Sequence, residues 1–178
     1  LQGMDRILEK EQPDRVLVHG DTSTTFATAL SCFYHQIPVG HVEAGLRTHN
    51  RYSPFPEEIN RVLTGHIADL HFAPTERNRE NLLREGIPAN QIFVTGNTVI
   101  DALLQVAGKP YEFRDDVLSK IDFAKKRVIT VTCHRRENLG EYMDNIFGAI
   151  GRLAGEFADV EVVYPVHLNP KVKEAARR

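Results

Sequence analysis

The stretch RVLVHGDTSTTFATALSCFY, residues 15–34, decides the fold. Its first six residues form a short aliphatic run that is typical of a buried strand, and Thr22 to Tyr34 have the composition of a helix. A strand that leads into a helix is the repeating unit of a parallel sheet. Between the two stands Asp21, followed by four hydroxyl residues. Asp21 is either the N-cap of the helix, worth about 1 kcal/mol, or a carboxylate at the mouth of a ligand crevice.

The same alternation continues along the chain. Further strands are predicted at 37–44, 70–74, 91–96, 126–134 and 160–167, and helices at about 57–68, 75–86, 97–107 and 138–157. Residues 108–125 carry Gly108, Pro110 and mixed charge, and they are interpreted as a crossover between domains. We therefore predict an α/β protein with one domain at 1–107 and a second at 126–178, each with a parallel sheet and helices on both faces.

Composition narrows the classes of function. The 178 residues are 42% hydrophobic and 26% charged, as in an ordinary globular protein, and the net charge of −2 provides no basic field for nucleic acid. No stretch approaches the roughly 20 apolar residues of a membrane span. Cys32 and Cys133 fit no metal-ligand spacing, which favours reduced, buried thiols in a cytoplasmic protein.

Titratable side chains stand at the ends of four predicted strands. Asp21 ends the first strand, Glu43 the second, and His134 and His167 the two strands of the second domain. Because ligands of open α/β sheets bind beyond the carboxyl ends of the strands, these four residues are candidates for a site.

Each candidate has a structural alternative. Glu43 has apolar neighbours, and a buried carboxylate is costly unless it is paired, so it either serves a site or pairs with Arg47 or His41. His134 precedes two arginines, which favours an anion site over a core histidine. His167 is either part of that site or the start of a turn.

The segment SPFPEEINR, residues 53–61, adds a third carboxylate. Pro56 suits the first position of a helix, and the helix dipole favours Glu57 and Glu58 in the first turn. Glu57 and Arg61 share a helix face at i,i+4, from which Glu57 can also point into a crevice. Three carboxylates with a histidine and arginines predict proton abstraction from a phosphorylated substrate.

Six segments then carry a family resemblance: VHGDTSTT, PVGHVEAGLRT, YSPFPEEINR, FVTGNTVIDAL, VTCHRRENLG and VYPVHLNP. In this order they closely resemble the signature segments of the bacterial non-hydrolysing UDP-N-acetylglucosamine 2-epimerases. The resemblance implies two Rossmann-like domains of the GT-B type with the active site between them. It also implies interconversion of UDP-N-acetylglucosamine and UDP-N-acetylmannosamine through C2 deprotonation, elimination of UDP to 2-acetamidoglucal and re-addition, without cofactor or metal.

The resemblance assigns roles residue by residue. The residues that match the family's catalytic positions are Asp21, Glu43, Glu57 and His134. Binding of the substrate's UDP is expected at His134, Arg135, Glu137 and Asn138, and contact with a regulatory second UDP-sugar at Arg135 and His167. The expected partners are UDP-N-acetylglucosamine and UDP, with no nucleic acid and no membrane. A homodimer of the full-length form, in the cytoplasm and in cell-surface polysaccharide biosynthesis, is also implied.

The same resemblance implies an internal fragment with both domains incomplete, because family members are about twice as long and the nucleotide-gripping loops have no counterpart here. Alternatives are an inactive UDP-sugar-binding fragment, a glycosyltransferase of the same architecture, a hydrolysing epimerase, and an epimerase for a diacetamido uronic acid sugar nucleotide. We expect the isolated chain to be marginally stable, to associate with itself or a partner, and to lack epimerase activity.

Overall fold

The computed structural model describes residues 1–135 and 138–177 and divides into two compact units, Leu1–Lys109 and Pro110–Arg178. The first unit contains nine helices and strands together with the short 3-10 helix Ala89–Gln91. In chain order these are α1 Gln2–Glu11, β1 Val16–His19, α2 Ser23–Tyr34, β2 Val39–Val42, α3 Glu57–Ile67, β3 Leu70–Ala73, α4 Glu76–Arg84, β4 Ile92–Val94 and α5 Thr98–Ala107.

The four strands of this unit form one parallel sheet in the order β1-β2-β3-β4. Every strand thus points the same way, and the loops that follow β1, β2 and β4 leave from one edge of the sheet. The predicted α/β class with parallel strands is confirmed.

The core of the first unit lies between the sheet and its helices. Val18 and Val39 pack against Cys32 of α2 and Leu8 of α1, and Ile92 packs against Leu82 of α4. Burying such side chains contributes about 1.5–3 kcal/mol each, as an upper estimate.

Two histidines lie on this same covered face. His41 of β2 and His71 of β3 are register partners, and both are fully buried. The opposite face of the sheet carries Leu17, which is 64% exposed, and the stacked rings of Phe72 and Phe93.

Among its described residues, the second unit contains a two-stranded parallel sheet and two α-helices, besides the 3-10 helix Leu118–Lys120. Its elements are β5 Arg127–Thr130, α6 Glu141–Glu156, β6 Val160–Val163 and α7 Pro170–Arg177. A small core joins Cys133 to Met143, Val172 and Ala175.

The two strands are shorter than the predicted 126–134 and 160–167. The last bond between them runs from the Val131 N–H to the Val163 carbonyl at 2.9 Å. Pro165 has no N–H to continue the pairing. The sequence analysis placed His134 and His167 at the ends of strands, and that prediction is wrong. Both residues lie four positions beyond the ends of β5 and β6.

Among the described residues, no helix combines the length and apolar character that crossing a bilayer requires.

Candidate active site

Asp21 lies in the loop between β1 and α2, and its carboxylate pairs with Arg61 of α3. The N-cap of α2 is Thr22, whose Oγ1 accepts a hydrogen bond from the Thr25 N–H at 3.1 Å. The capping alternative for Asp21 is therefore wrong, because Thr22 already performs that role. The Asp21 carboxylate is therefore not used for capping and faces Arg61 instead.

Helix α3 holds the same loop through a second contact. Asn60 donates from Nδ2 to the Asp21 carbonyl at 3.0 Å, beside the ion pair of Arg61. Both side chains are buried, so both the carboxylate and the backbone of Asp21 are tied to α3.

Glu43 directly follows β2 in a left-handed backbone conformation, with φ of 65°. Such a conformation costs a non-glycine residue roughly 1–3 kcal/mol and persists where the surrounding structure holds it. The Glu43 carboxylate accepts a hydrogen bond from Asn97 Nδ2 at 3.0 Å. Asn97 is also the N-cap of α5, since its Oδ1 accepts from the Val99 N–H at 3.1 Å.

The two partners suggested for Glu43 by the structural alternative are engaged elsewhere. Arg47 forms a two-pronged ion pair with Glu85, with both N–O distances at 2.7 Å. His41 is hydrogen-bonded to the Gly20 carbonyl. The pairing alternative for Glu43 is therefore wrong.

Gly20 brings the two carboxylate-bearing loops together. Its φ of +74° is in the left-handed region, where a side chain is strained. A Cβ placed on Gly20 would lie 3.5 Å from Oε2 of Glu43. The Glu43 carboxylate thus lies against the residue that precedes Asp21.

Glu57 and Glu58 are the first two residues of α3, and the structure gives them different surroundings. Glu58 is 3% exposed and accepts hydrogen bonds from the backbone N–H groups of Thr48 and His49 at 3.1 and 2.9 Å. Glu57 is half-buried and forms no hydrogen bond or ion pair with the described residues. It lies one turn before Arg61, on the helix face that contacts the Asp21 loop.

The second unit holds the remaining candidates. The rings of His134 and His167 stack with centroids 5.1 Å apart and planes 9° from parallel. His167 Nδ1 accepts from the Asn169 N–H at 3.1 Å, a local bond that agrees with the turn alternative for His167. The stacking is a further contact, which the sequence did not predict.

Arg135 follows His134 with an exposed side chain, and its carbonyl accepts from the Asn138 N–H at 3.1 Å. Glu137, predicted to bind UDP, lies outside the described residues, as does Arg136.

Sequence reasoning missed Asn60, Asn97 and the role of Glu58. Asn60 and Asn97 lie within recognised motifs, but no local pattern in the sequence indicates which residue each of these amide side chains contacts.

The three carboxylates of the first unit therefore differ in their surroundings. Asp21 faces a guanidinium, Glu43 accepts from a neutral amide, and Glu57 has no partner in the part of the chain that the structure describes. Carboxylates in different surroundings can take different roles, one as proton donor and another as proton acceptor. The described residues contain no cluster of three or more His, Cys, Asp or Glu side chains that could hold a metal ion.

Comparison with known proteins shows which family the chain resembles. The family model described as UDP-N-acetylglucosamine 2-epimerase matches residues 1–178. The Bacillus subtilis protein named UDP-N-acetylglucosamine 2-epimerase is 59% identical over 175 residues, which are 98% of this chain and 45% of that protein.

Two solved structures have similar folds. The UDP-GlcNAc 2-epimerase from Neisseria meningitidis bound to UDP-GlcNAc has a TM-score of 0.88 and 48% identity over 99% of this chain and 48% of its own. The S. aureus MnaA–UDP co-structure has a TM-score of 0.90 and 49% identity, over 99% and 47%. The chain thus spans about half the length of the curated relatives it matches.

Proposed function

The chain belongs to the UDP-N-acetylglucosamine 2-epimerase family, and on that premise we propose that it supplies acid–base residues for interconverting UDP-N-acetylglucosamine and UDP-N-acetylmannosamine. The observation that carries the proposal is the set of three carboxylates in the first unit. Asp21 and Glu43 lie on adjoining loops at the carboxyl edge of the sheet, and Glu57 lies on the helix that contacts the Asp21 loop. Their surroundings differ: Asp21 pairs with Arg61, Glu43 accepts from Asn97, and Glu57 has no partner among the described residues. Such differences suit groups that exchange protons in turn.

The proposed reaction balances without an oxidant or reductant. A carboxylate removes the proton from C2, the C1–O bond breaks with its electron pair leaving on UDP, and a C1–C2 double bond forms in 2-acetamidoglucal. UDP then adds back to C1 while C2 receives a proton on the opposite face. Asp21, Glu43 and Glu57 are the proposed proton-transfer groups.

The second unit supplies the proposed nucleotide contacts. His134, which stacks on His167, assists the departing UDP, and Arg135, Glu137 and Asn138 contact the nucleotide. Of these, Arg135 is the proposed contact of its phosphates. An arginine suits a diphosphate because its fork of N–H donors matches paired oxygens. Arg135 and His167 are also the proposed contacts of a regulatory UDP-sugar.

We further propose that the whole protein works as a homodimer in the cytoplasm and binds no nucleic acid. The net charge of −2 supports the last point, because nucleic-acid binding depends on a basic surface.

The test uses two proteins, the 178-residue chain and a chimera in which this chain replaces the matched segment of the Bacillus subtilis relative. Each is incubated with UDP-N-acetylglucosamine in D2O, and the sugar nucleotides are analysed by proton NMR. Formation of the C2 epimer by the chimera, with deuterium at C2, supports the proposal. A folded chimera that binds UDP but neither epimerises the sugar nor exchanges the C2 proton would overturn it, provided the unaltered Bacillus subtilis protein is active under the same conditions.

A further inference from the structure

Three successive backbone carbonyls around Asp21 each accept a hydrogen bond from a side chain. Thr25 Oγ1 donates to the His19 carbonyl at 2.7 Å, His41 Nε2 to the Gly20 carbonyl at 2.7 Å, and Asn60 Nδ2 to the Asp21 carbonyl at 3.0 Å. The three donors come from three different elements, α2, β2 and α3.

All three donors are buried, with exposed fractions of 6% for Thr25, 0% for His41 and 8% for Asn60. A loop carbonyl ordinarily accepts from water, which adapts to small movements of the backbone. Here fixed side chains take the place of water, and a carbonyl that left its donor would leave a buried polar group unpaired. Each bond therefore resists displacement of the loop.

The bond from His41 also defines the state of its ring. Because the Gly20 carbonyl can only accept, Nε2 must carry the proton, and burial keeps the ring neutral by lowering the pKa of His41 to about 4. The neighbouring His71 is equally buried and is its register partner, but neither of its ring nitrogens has a hydrogen-bond partner among the described residues.

We propose that Thr25, His41 and Asn60 are positioning residues, which hold the backbone at Asp21 so that its carboxylate keeps its place in the candidate active site. This inference rests on the proposed function for its catalytic consequence. None of the three is proposed to touch the substrate. A displacement of about 1 Å at a catalytic group can reduce the rate by roughly 10²-fold, so the effect is measurable.

The test compares His41→Leu, which removes the donor, with His41→Gln, whose side-chain amide can again present an N–H. His71→Leu is the matched control, since it changes a buried histidine on the same sheet face that makes no bond to the loop. In the chimera we expect His41→Leu to lower kcat by roughly 10–100-fold with a much smaller change in KM. We expect His41→Gln to recover most of that loss and His71→Leu to retain wild-type kcat.

A His41→Leu variant with wild-type kcat, or an equal loss of kcat in His71→Leu, would overturn the inference. A second readout separates it from the proposed function. Hydrogen–deuterium exchange of the peptide spanning residues 18–24, in the chain and in the chimera, reports loop order whether or not the protein is active. Faster exchange in His41→Leu than in His41→Gln supports positioning even if epimerase activity is absent, and equal exchange contradicts it.

If His41→Leu does not fold, Thr25 provides the same comparison. Thr25→Val removes the hydroxyl at nearly constant volume, and Thr25→Ser keeps it. We expect Thr25→Val to show the faster exchange of the 18–24 peptide and the lower kcat. Equal behaviour of the two variants would overturn the inference.

Discussion

Arg61 of α3 pairs with Asp21 in the loop after β1, forty positions earlier in the chain. The pair is only partly exposed, so water screens it less than it would a surface pair. It couples the carboxyl edge of the sheet to the helix that begins at Glu57. Two of the proposed proton-transfer groups are therefore set in position by one helix.

We expect Asp21→Asn to lower kcat in the chimera by roughly 10²–10⁴-fold while the fold is retained. Asparagine keeps an oxygen that can accept from Arg61, and the N-cap of α2 is Thr22, so helix capping is unchanged. Steady-state kinetics and circular dichroism measure the two quantities. Asp14→Asn, at an exposed position, is the control for removing one negative charge. Turnover in Asp21→Asn equal to that of the control would contradict the role of Asp21.

Glu57→Gln and Glu58→Gln should separate catalysis from structure at adjacent positions. Glu57 is a proposed proton-transfer group, so Glu57→Gln should suppress deuterium incorporation at C2. Because Glu57 has no partner in the described residues, the free energy of unfolding should stay nearly unchanged. Glu58 is buried and accepts from two backbone N–H groups, so Glu58→Gln should lower the stability by about 1–3 kcal/mol. Urea unfolding and NMR detection of C2 exchange measure the two effects. The opposite pattern would assign the catalytic role to Glu58 instead.

Asn97→Asp should disturb Glu43 without removing the helix cap. Aspartate still accepts from the Val99 N–H, but it places a negative oxygen where Asn97 Nδ2 now donates to Glu43. We expect repulsion to move the Glu43 carboxylate and to reduce C2 exchange as much as Glu43→Gln does, while the helix content by circular dichroism stays constant. Wild-type exchange in Asn97→Asp would show that the contact with Asn97 does not govern Glu43.

The stability of the chain should fall between about pH 6.5 and pH 4 because of His41. Burial lowers the pKa of this histidine from 6.5 to about 4, with the Gly20 carbonyl opposing the shift and His71, Arg47 and Arg61 adding to it. In this window the unfolded chain binds a proton that the folded chain does not, so the free energy of unfolding decreases as the pH falls.

The shift of His41 corresponds to roughly 3 kcal/mol across that window. Burial also lowers the pKa of His71, which adds to the trend, while the nearby Ala68 carbonyl opposes it. His41→Gln cannot titrate, so its free energy of unfolding, measured in urea at pH 7 and pH 5, should change less than that of the wild type. An equal change in the two proteins would show that His41 is not responsible.

The isolated chain should self-associate through apolar surface that its own fold leaves uncovered. Helix α5 buries none of its residues, although its sequence TVIDALLQVA is largely apolar, and Leu103 and Leu104 are each more than half exposed. Exposed patches of this kind promote association. Light scattering after size exclusion should show a mass that rises with concentration, and Leu103→Lys with Leu104→Lys should reduce it. A monomer at every concentration would contradict this expectation.

The order of strands and helices could be predicted from the sequence, because burial on a sheet imposes a local pattern of apolar residues. The predicted strand at 15–20, for example, is β1 at Val16–His19. The lengths of β5 and β6 could not be predicted from the sequence, because an apolar run does not show where its partner strand stops pairing. The ladder ends where Val131 bonds to Val163 and Pro165 follows.

The residue types of the candidate site also follow from the sequence alone. Parallel strands bring their carboxyl ends to one edge of the sheet, and Asp21 and Glu43 stand in the loops that follow two such strands. Only the tertiary structure decided which side chains contact each other. It pairs Asp21 with Arg61, gives Asn97 to Glu43, buries Glu58 rather than Glu57, and stacks His134 on His167. These contacts join residues up to 54 positions apart. Local composition cannot encode them, because they depend on how whole helices and strands pack.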